Sequence, residues 1–472
     1  MTNSLYRLPD IIKKKYQLSI LFVYFCTIIL GSTLYFNFIP NPLWVGNTLF
    51  QIIFFILYSQ FIFKLSQGKT ESNFLKLSFV FNVLVGSIWV IIIYAFYSEM
   101  SGYPFEFHAK DGLNYYTKGK EIAGLIPHLG FFSSVDTVLS GEFGFSDYGF
   151  FAYNAVLIFL FGDNIIIERL LNVIWLALAA IYLYKISKLC FSNKTYAVVA
   201  LILMVAVPNF YVYAAGNRKE ILMIFFLLGF TYYGLRVLHS GDITTANILL
   251  TCFFLVLIFF MRPILCLVGL YALFIAYINS TYFKGKIISK AFIWFGVFTS
   301  VIIVLIIAGD ELLLMWDYSQ VATESNNTNK ANSSGGDLSA YPIWFYFSLF
   351  PFAPVSGFIE LPGKENEMFM AGAHFIKVLY TALFIFGSVV AYKFKSARWI
   401  FHFIVIYFLA LAINGYTVDT RFHMVLLPFI FLIVPFSTEI NFRFKWTLYC
   451  GFCFLSIFFI TAWNYFRIGI WI

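Results

Sequence analysis

The chain has 472 residues, of which 61% are hydrophobic and only 11% are charged, and its mean hydropathy is +0.84. This composition excludes an ordinary soluble domain, because water-soluble folds carry far more charge on their surfaces. The formal net charge of +8 does not indicate a nucleic-acid partner, because the basic residues are distributed as in a membrane protein.

Apolar runs of about 20 residues, enough to cross the hydrocarbon core of a bilayer, recur along almost the whole chain. Their uninterrupted character favours helices over the alternating strands of a membrane β-barrel. We therefore predict an all-α polytopic membrane protein with a single membrane domain over residues 1–472. The roughly thirteen predicted transmembrane helices lie near 18–39, 44–65, 77–98, 165–186, 195–215, 220–238, 245–261, 264–281, 291–308, 373–392, 399–414, 423–440 and 446–466.

The charges predict which side of the membrane each loop occupies. With the N-terminus inside, most of the 31 Lys and Arg residues fall in cytoplasmic segments, and most of the 23 acidic residues fall on the other side. This asymmetry follows the positive-inside rule and predicts a multi-pass membrane protein with its N-terminus in the cytoplasm. The low charge and the preference for Lys over Arg and for Phe suggest a bacterium, so we expect the bacterial cytoplasmic membrane. Every cytoplasmic loop is short and leaves no room for a domain that binds nucleotides. We therefore expect an active site on the periplasmic or extracellular side.

Two long outer segments, 99–164 and 309–372, interrupt the series of spans. In the first, a helix is expected from Asp111 to Gly124. The apolar stretch Tyr148–Phe161 is too short to span and is expected to lie in the plane of the interface.

The second outer segment contains a turn-rich stretch at 326–336, followed by an in-plane hairpin expected at 341–355. A mobile loop over an in-plane element is either a lid on the site or a plain connector, and the sequence alone leaves both readings open.

Polar residues form five groups that the topology brings to the outer side. Charge is costly in so apolar a chain, so these groups mark the expected site. Snorkelling at a span end is the alternative explanation for Arg262 and for Arg421. The groups are His108, Lys110, Asp111, Asn114, Tyr115 and Tyr116; Asp147 and Tyr148; Asn217, Arg218, Lys219 and Glu220; Asp419, Arg421 and His423; and Arg262 by itself.

The Arg218-Lys219-Glu220 run is expected to bind an anion. The positive-inside rule disfavours basic residues on the outer face, so their presence there points to a negatively charged partner. Arg offers a bidentate fork to phosphate oxygens and Lys offers a point charge, so a lipid phosphate is a fitting partner. Glu220 alternatively neutralises the two cations structurally.

Asp111 is the first choice for a general base that deprotonates a sugar hydroxyl. Partial desolvation near a membrane boundary favours such a role, and the nearby Lys110 opposes it. Asp147 is a rival base, a ligand for a sugar hydroxyl, or the N-cap of the helix that follows. His108 and Asp111 together are too few ligands for a metal site. We predict no cofactor or metal, with a divalent metal left as an open alternative.

Four groups of motifs follow one another in a fixed order along the chain. They are Asp111-Gly-Leu-Asn-Tyr115-Tyr116; Ser146-Asp147-Tyr148-Gly149 leading to Leu160-Phe161-Gly162-Asp163-Asn164 and Glu168-Arg169-Leu170-Leu171-Asn172; Pro208-Asn209 before Arg218-Lys219-Glu220; and Arg421-Phe422-His423 before Leu426-Leu427-Pro428. Together they resemble the GT-C superfamily of integral membrane glycosyltransferases, which includes protein mannosyltransferases and aminoarabinose transferases. The chain departs from the superfamily pattern in two ways: the acidic motif is single, since Gly112 follows Asp111, and two spans precede the usual first one.

The resemblance implies a sugar donor carried on polyprenyl phosphate, with Asp111 as base, basic residues on the phosphate, and inversion at the anomeric carbon. The expected acceptor is a cell-envelope glycan or glycolipid, such as lipopolysaccharide. Two alternatives remain open: an O-antigen-type polymerase that uses polyprenyl-diphosphate oligosaccharides, and a transporter of lipid-linked sugars. The concentration of charge at one face favours an enzyme over a transporter.

Overall fold

The computed structural model describes residues 41–101, 110–140, 147–191, 193–280, 367–413 and 423–439, and the single residues Cys26, Phe105, Gly451 and Leu455. The predicted spans 18–39, 291–308 and 446–466 and the outer segment 309–372 lie outside these residues, apart from isolated positions and the first residues of one helix. The described helices are α1 Pro42–Gln67, α2 Glu71–Ser101, α3 Lys110–Leu129, α4 Phe131–Leu139, α5 Tyr148–Phe161, α6 Ile165–Phe191, α7 Lys194–Ala206, α8 Asn209–Ala215, α9 Glu220–Leu238, α10 Thr245–Met261, α11 Pro263–Ile278, α12 Glu367–Ala391, α13 Arg398–Ile413 and α14 Leu427–Ile433, followed by a 3₁₀ helix at Val434–Glu439.

Four of the described helices are long and apolar enough to cross a membrane: α1, Glu71–Phe96 of α2, α6 and α9. The helices α7 and α8 would count as a fifth span if taken together, although they bend by 48° at Val207-Pro208. The bend follows from Pro208, which has no amide hydrogen to donate within a helix. The described part of the chain is thus an all-α, multi-pass membrane protein, while the predicted number of thirteen spans is not confirmed.

The helices α6 to α9 form the centre of the bundle. Helix α9 packs against α6, α10 and α11, and α6 also packs against α2 and α7. Helix α13 packs on α11, while α12 packs on α1, α14 and the 3₁₀ helix. The outer faces of α1 and α2 expose large apolar side chains at helical spacing, including Phe50, Ile53 and Leu57 on α1 and Leu84 and Ile88 on α2. Such faces suit contact with lipid tails.

The turns between helices gather at two opposite ends of the bundle. At one end, which we call the basic end, Lys194 Nζ donates a hydrogen bond to the Ser66 carbonyl at 2.6 Å and Lys188 Nζ lies 3.5 Å from a Glu71 carboxylate oxygen. These contacts join the α1–α2 and α6–α7 turns. The other end, the site end, is formed by the α8–α9 and α10–α11 turns and the first residues of α3 and α5.

Short capping contacts define where several helices begin. The side chain of Asn41 accepts a hydrogen bond from the Leu43 amide at 2.9 Å, and Asn193 does the same for Thr195 at 2.9 Å. Both caps satisfy amides that have no partner inside the helix. The predicted in-plane segment at 148–161 is confirmed as a helix with those bounds, α5. Its orientation in the interface stays a prediction.

Candidate functional site

The α8–α9 turn is held by one residue in an unusual conformation. Asn217 has a φ of 52°, and among the described non-glycine residues no other has a positive φ. Asparagine tolerates this left-handed region better than most residues. Its side chain is fully buried and Nδ2 donates a hydrogen bond to the Gly112 carbonyl at 3.2 Å. The turn that carries Arg218 and Lys219 is therefore joined to the first turn of α3.

Gly112 makes the approach of these two segments possible. A Cβ atom at this position would lie 2.6 Å from the Gly216 carbonyl oxygen, a distance that no side chain tolerates. The residue after Asp111 must therefore be glycine for α3 to pack against the α8–α9 turn. This is a physical reason for the single acid at a position where the GT-C superfamily commonly has two. It also brings Asp111, which is partly buried, beside the cationic turn.

Asp147 is paired with Lys219. The Lys219 ammonium donates a hydrogen bond to Asp147 Oδ1 and also lies 3.4 Å from the Met261 carbonyl. Asp147 occupies the N-cap position of α5 but makes no side-chain capping bond there. Of the alternatives given for Asp147, the side-chain cap of α5 is therefore wrong, and the residue is held by the ion pair instead. The pair joins the start of α5 to the α8–α9 and α10–α11 turns.

Arg262 lies at the break between α10 and α11, as the sequence predicted. It ends one helix and precedes the next in an extended conformation with a φ of −166°, and Pro263 follows at the first helical position. Its side chain is hydrogen-bonded to the Tyr407 hydroxyl on α13, and Glu220 is close enough to Tyr407 to interact with it electrostatically. The break is also close to α5, since a Cβ on Gly149 would lie 3.0 Å from the Phe260 carbonyl.

The described member of the fourth group also lies near this end. The His423 side chain is buried, and its ring centroid is 5.9 Å from that of Phe408, the residue after Tyr407. His108, Asp419 and Arg421 lie outside the described residues. Lys110 is described only as the first residue of α3. Described members of all five groups thus lie at the site end.

The tyrosines of the first two groups pack mainly against other aromatic rings. Tyr115 is buried with its ring 4.9 Å from Phe150 and 5.1 Å from Phe151, so it fixes α3 on α5. The Tyr148 hydroxyl donates a hydrogen bond to the Leu139 carbonyl at 3.1 Å, which joins α5 to the end of α4. Tyr116 is buried against Phe105, with the ring centroids 5.6 Å apart. These contacts give the tyrosines a packing role in addition to their predicted contact with substrate.

Sequence reasoning did not identify two residues at this end as site residues. Tyr407 lies in a plain apolar helix and gives no signal in the sequence. Arg169 is fully buried and was read only as part of a motif, although a buried arginine in a membrane protein is by itself a sign of function. In the ranges that the structure describes, no cluster of three or more His, Cys, Asp or Glu residues is arranged to hold a metal ion.

Comparison with known families adds independent evidence. The family model of the dolichyl-phosphate-mannose-protein mannosyltransferases matches residues 150–308 of the chain. The match includes the α8–α9 turn and Arg262 but begins after Asp111 and Asp147. It supports a glycosyltransferase of the GT-C superfamily, so the resemblance read from the sequence is confirmed. No curated protein and no solved structure matches the chain significantly.

Proposed function

We propose that this GT-C-type membrane glycosyltransferase moves a sugar from a polyprenyl-phosphate carrier to a cell-envelope glycan or glycolipid. The family match supports a lipid-linked donor in general terms. The observation that carries the proposal is the Asn217–Gly112 hydrogen bond, because it joins the segment bearing Asp111 to the turn bearing Arg218 and Lys219. This contact supports an arrangement in which the proposed base lies beside the proposed phosphate-binding cations.

In the proposed reaction, Asp111 accepts the proton of an acceptor hydroxyl as the hydroxyl oxygen attacks the anomeric carbon. The bond between that carbon and the phosphate oxygen breaks, and its electron pair leaves with the polyprenyl phosphate. Arg218 and Arg262 stabilise the phosphate on which negative charge increases in the transition state. A single displacement of this kind inverts the configuration at the anomeric carbon.

The Lys219–Asp147 ion pair favours Asp111 as the base over Asp147. The ammonium of Lys219 stabilises the ionised carboxylate and takes one of its oxygens, so Asp147 is a weaker proton acceptor. A pair of this kind suits a different role, in which Asp147 holds Lys219 in place beside Met261. The cation is then already oriented when the donor phosphate arrives, so little side-chain entropy is lost on binding.

The distribution of basic residues supports the proposed orientation. Lys64, Lys188, Lys194, Arg236 and Arg398 belong to helix ends at the basic end. The positive-inside rule assigns such an end to the cytoplasm. The site end would then face the periplasm or the cell exterior, where lipid-linked sugars rather than nucleotide sugars are the donors.

Turnover by the purified protein in lipid nanodiscs tests the proposal. The enzyme is offered polyprenyl-phosphate monosaccharides in one assay and polyprenyl-diphosphate oligosaccharides in another, each with cell-envelope glycolipid as acceptor. Release of polyprenyl phosphate with elongation of the acceptor is expected in the first assay alone. Turnover of the diphosphate donors alone would overturn the proposal in favour of a polymerase, and turnover of neither would favour transport.

Substitution of Asp111 tests its role as the base. Asp111→Asn keeps the shape of the side chain but cannot accept a proton, so we expect a loss of at least roughly 100-fold in kcat, the usual contribution of a general base. Asp163→Asn is the matched control, because this carboxylate is exposed and pairs with the exposed Lys120, so its substitution should leave activity unchanged. Wild-type activity in Asp111→Asn would eliminate Asp111 as the base.

A further inference from the structure

Arg169 lies in a fully buried position at the start of α6, away from the α8–α9 turn in sequence. Its side chain has no exposed surface, and its guanidinium carbon lies 5.0 Å from the centre of the Tyr94 ring and 5.5 Å from that of Phe105. Aromatic faces within about 6 Å attract a cation, most strongly where water is absent. The guanidinium thus contacts α2 and the segment between α2 and α3 at once.

Phe105 lies between Arg169 and the segment that bears Asp111. Its ring is buried and lies 5.6 Å from the Tyr116 ring, and a Cβ on Gly112 would be 3.7 Å from its Cδ1 atom. Gly112 and Tyr116 are one turn apart on α3, and Gly112 directly follows Asp111 in the chain. The order of contacts is therefore from Arg169 to Phe105 and from Phe105 to the first turn of α3.

We propose that Arg169 is a positioning residue that fixes Asp111 for catalysis by holding Phe105 against the first turn of α3. The inference rests on the proposed function, since it assigns Arg169 to the base named there. A buried arginine is costly, and an apolar residue of similar volume commonly packs as well or better. Arg169 is therefore explained better by the accurate placement of a reacting group than by stability alone.

Arg169 and Phe105 have the same function in this proposal, so their substitution should have non-additive effects. Arg169→Leu removes the cation and keeps an apolar side chain, and Phe105→Leu removes the ring that the cation contacts. We expect each to lower kcat by roughly 30- to 100-fold, because a displacement of about 1 Å in a reacting group costs on the order of 100-fold. The KM for the donor should stay within about threefold, because neither residue binds the phosphate.

Two further variants separate positioning from a general effect on folding. Arg169→Lys keeps the charge over the rings and should restore activity to within about tenfold of the wild type, since lysine also interacts with aromatic faces. Arg398→Leu is the matched control at the basic end, where the guanidinium carbon lies 5.5 Å from the Tyr392 ring. It removes a contact of the same chemical kind, although an exposed one, and should leave kcat unchanged.

The experiment measures kcat and donor KM for each variant in nanodiscs, for the Arg169→Leu/Phe105→Leu double variant, and for Asp111→Asn, together with thermal unfolding. The inference is supported if the double variant is no less active than either single variant, and if kcat is lowered while the donor KM is retained. Three results would each overturn the inference. The first is that the losses of the two single variants add in the double variant, and the second is that KM rises while kcat stays normal. The third is that the loss of activity in the milder Phe105→Leu variant follows the fraction of unfolded protein. If Asp111→Asn retains activity, the proposed function fails. If Asp111→Asn is inactive while Arg169→Leu keeps its kcat, the positioning role alone fails.

Discussion

The Lys219–Asp147 ion pair allows a quantitative prediction, because its two side chains are buried to different degrees. The Lys219 side chain is 6% exposed and the Asp147 side chain is 27% exposed. Removal of one partner of a fully buried pair costs about 3–5 kcal/mol, because the other charge stays without its counterion. Asp147→Asn leaves the more buried charge behind, so we expect a loss of about 2.5 kcal/mol in the free energy of unfolding.

Lys219→Met should cost less, about 1.5 kcal/mol, because the carboxylate of Asp147 is more exposed and can be solvated. The double variant should cost about 2 kcal/mol, which leaves a coupling energy of about 2 kcal/mol between the two side chains. The assay is equilibrium unfolding of each variant in mixed micelles with increasing SDS, monitored by intrinsic fluorescence.

The exposed pair Lys120–Asp163 is the control, with side chains 59% and 47% exposed. The same cycle there should give a coupling energy below about 1 kcal/mol, as solvent-exposed pairs do. Equal coupling energies at the two pairs, or strictly additive effects at Lys219 and Asp147, would refute the reasoning that burial makes this pair strong.

The remaining predictions concern the packing around the site and one group at the basic end. Gly112→Ala should lower turnover severely, because its Cβ would lie 2.6 Å from a backbone carbonyl oxygen. Gly124→Ala on the same helix is the control, because its Cβ meets no atom within 4 Å and turnover should be unchanged. Steady-state kinetics of both variants test this prediction. Tyr407→Phe removes a hydrogen bond to Arg262 and should raise the donor KM by about fivefold, which corresponds to about 1 kcal/mol. Burial lowers the pKa of His239, so the histidine takes up its proton at a higher pH in the unfolded state than in the folded state. The free energy of unfolding should therefore fall as the pH drops below about 6.5. Measured between about pH 7.5 and 5.5, this free energy should depend less on pH in His239→Gln than in the wild type.

The helices could be predicted from the sequence wherever long apolar runs are bounded by polar residues. Helix α10 has the bounds predicted for it, 245–261, because Thr244 caps its start and Arg262 with Pro263 ends it. The predicted span 195–215 is different, since it is divided by a 48° bend. The apolar run continues through Pro208, so hydropathy gives no sign of the break there, and only the missing amide of proline does.

The position of the site could be predicted more fully than its internal contacts. Charge in an apolar chain must lie at a membrane boundary or near a partner, so topology was enough to bring Asp111 and Asp147 to one end. The pairing of Asp147 with Lys219 depends on how α5 rotates against α9, and helix rotation depends on packing across the whole bundle. A sequence without packing information therefore presented Asp147 as a rival base and could not reveal its partner.

Gly112 shows how the packing decides the chemistry. Its lack of a side chain reads in the sequence as the loss of a second acid from a family motif. In the structure the same feature lets α3 approach the Gly216 carbonyl, and this approach joins Asp111 to the cationic turn through Asn217. A carboxylate at position 112 would be excluded from the space that the turn occupies, and the two segments would have to separate. The single acid is therefore compatible with catalysis at this site, because the contact that it allows brings the proposed base and the proposed phosphate-binding residues together.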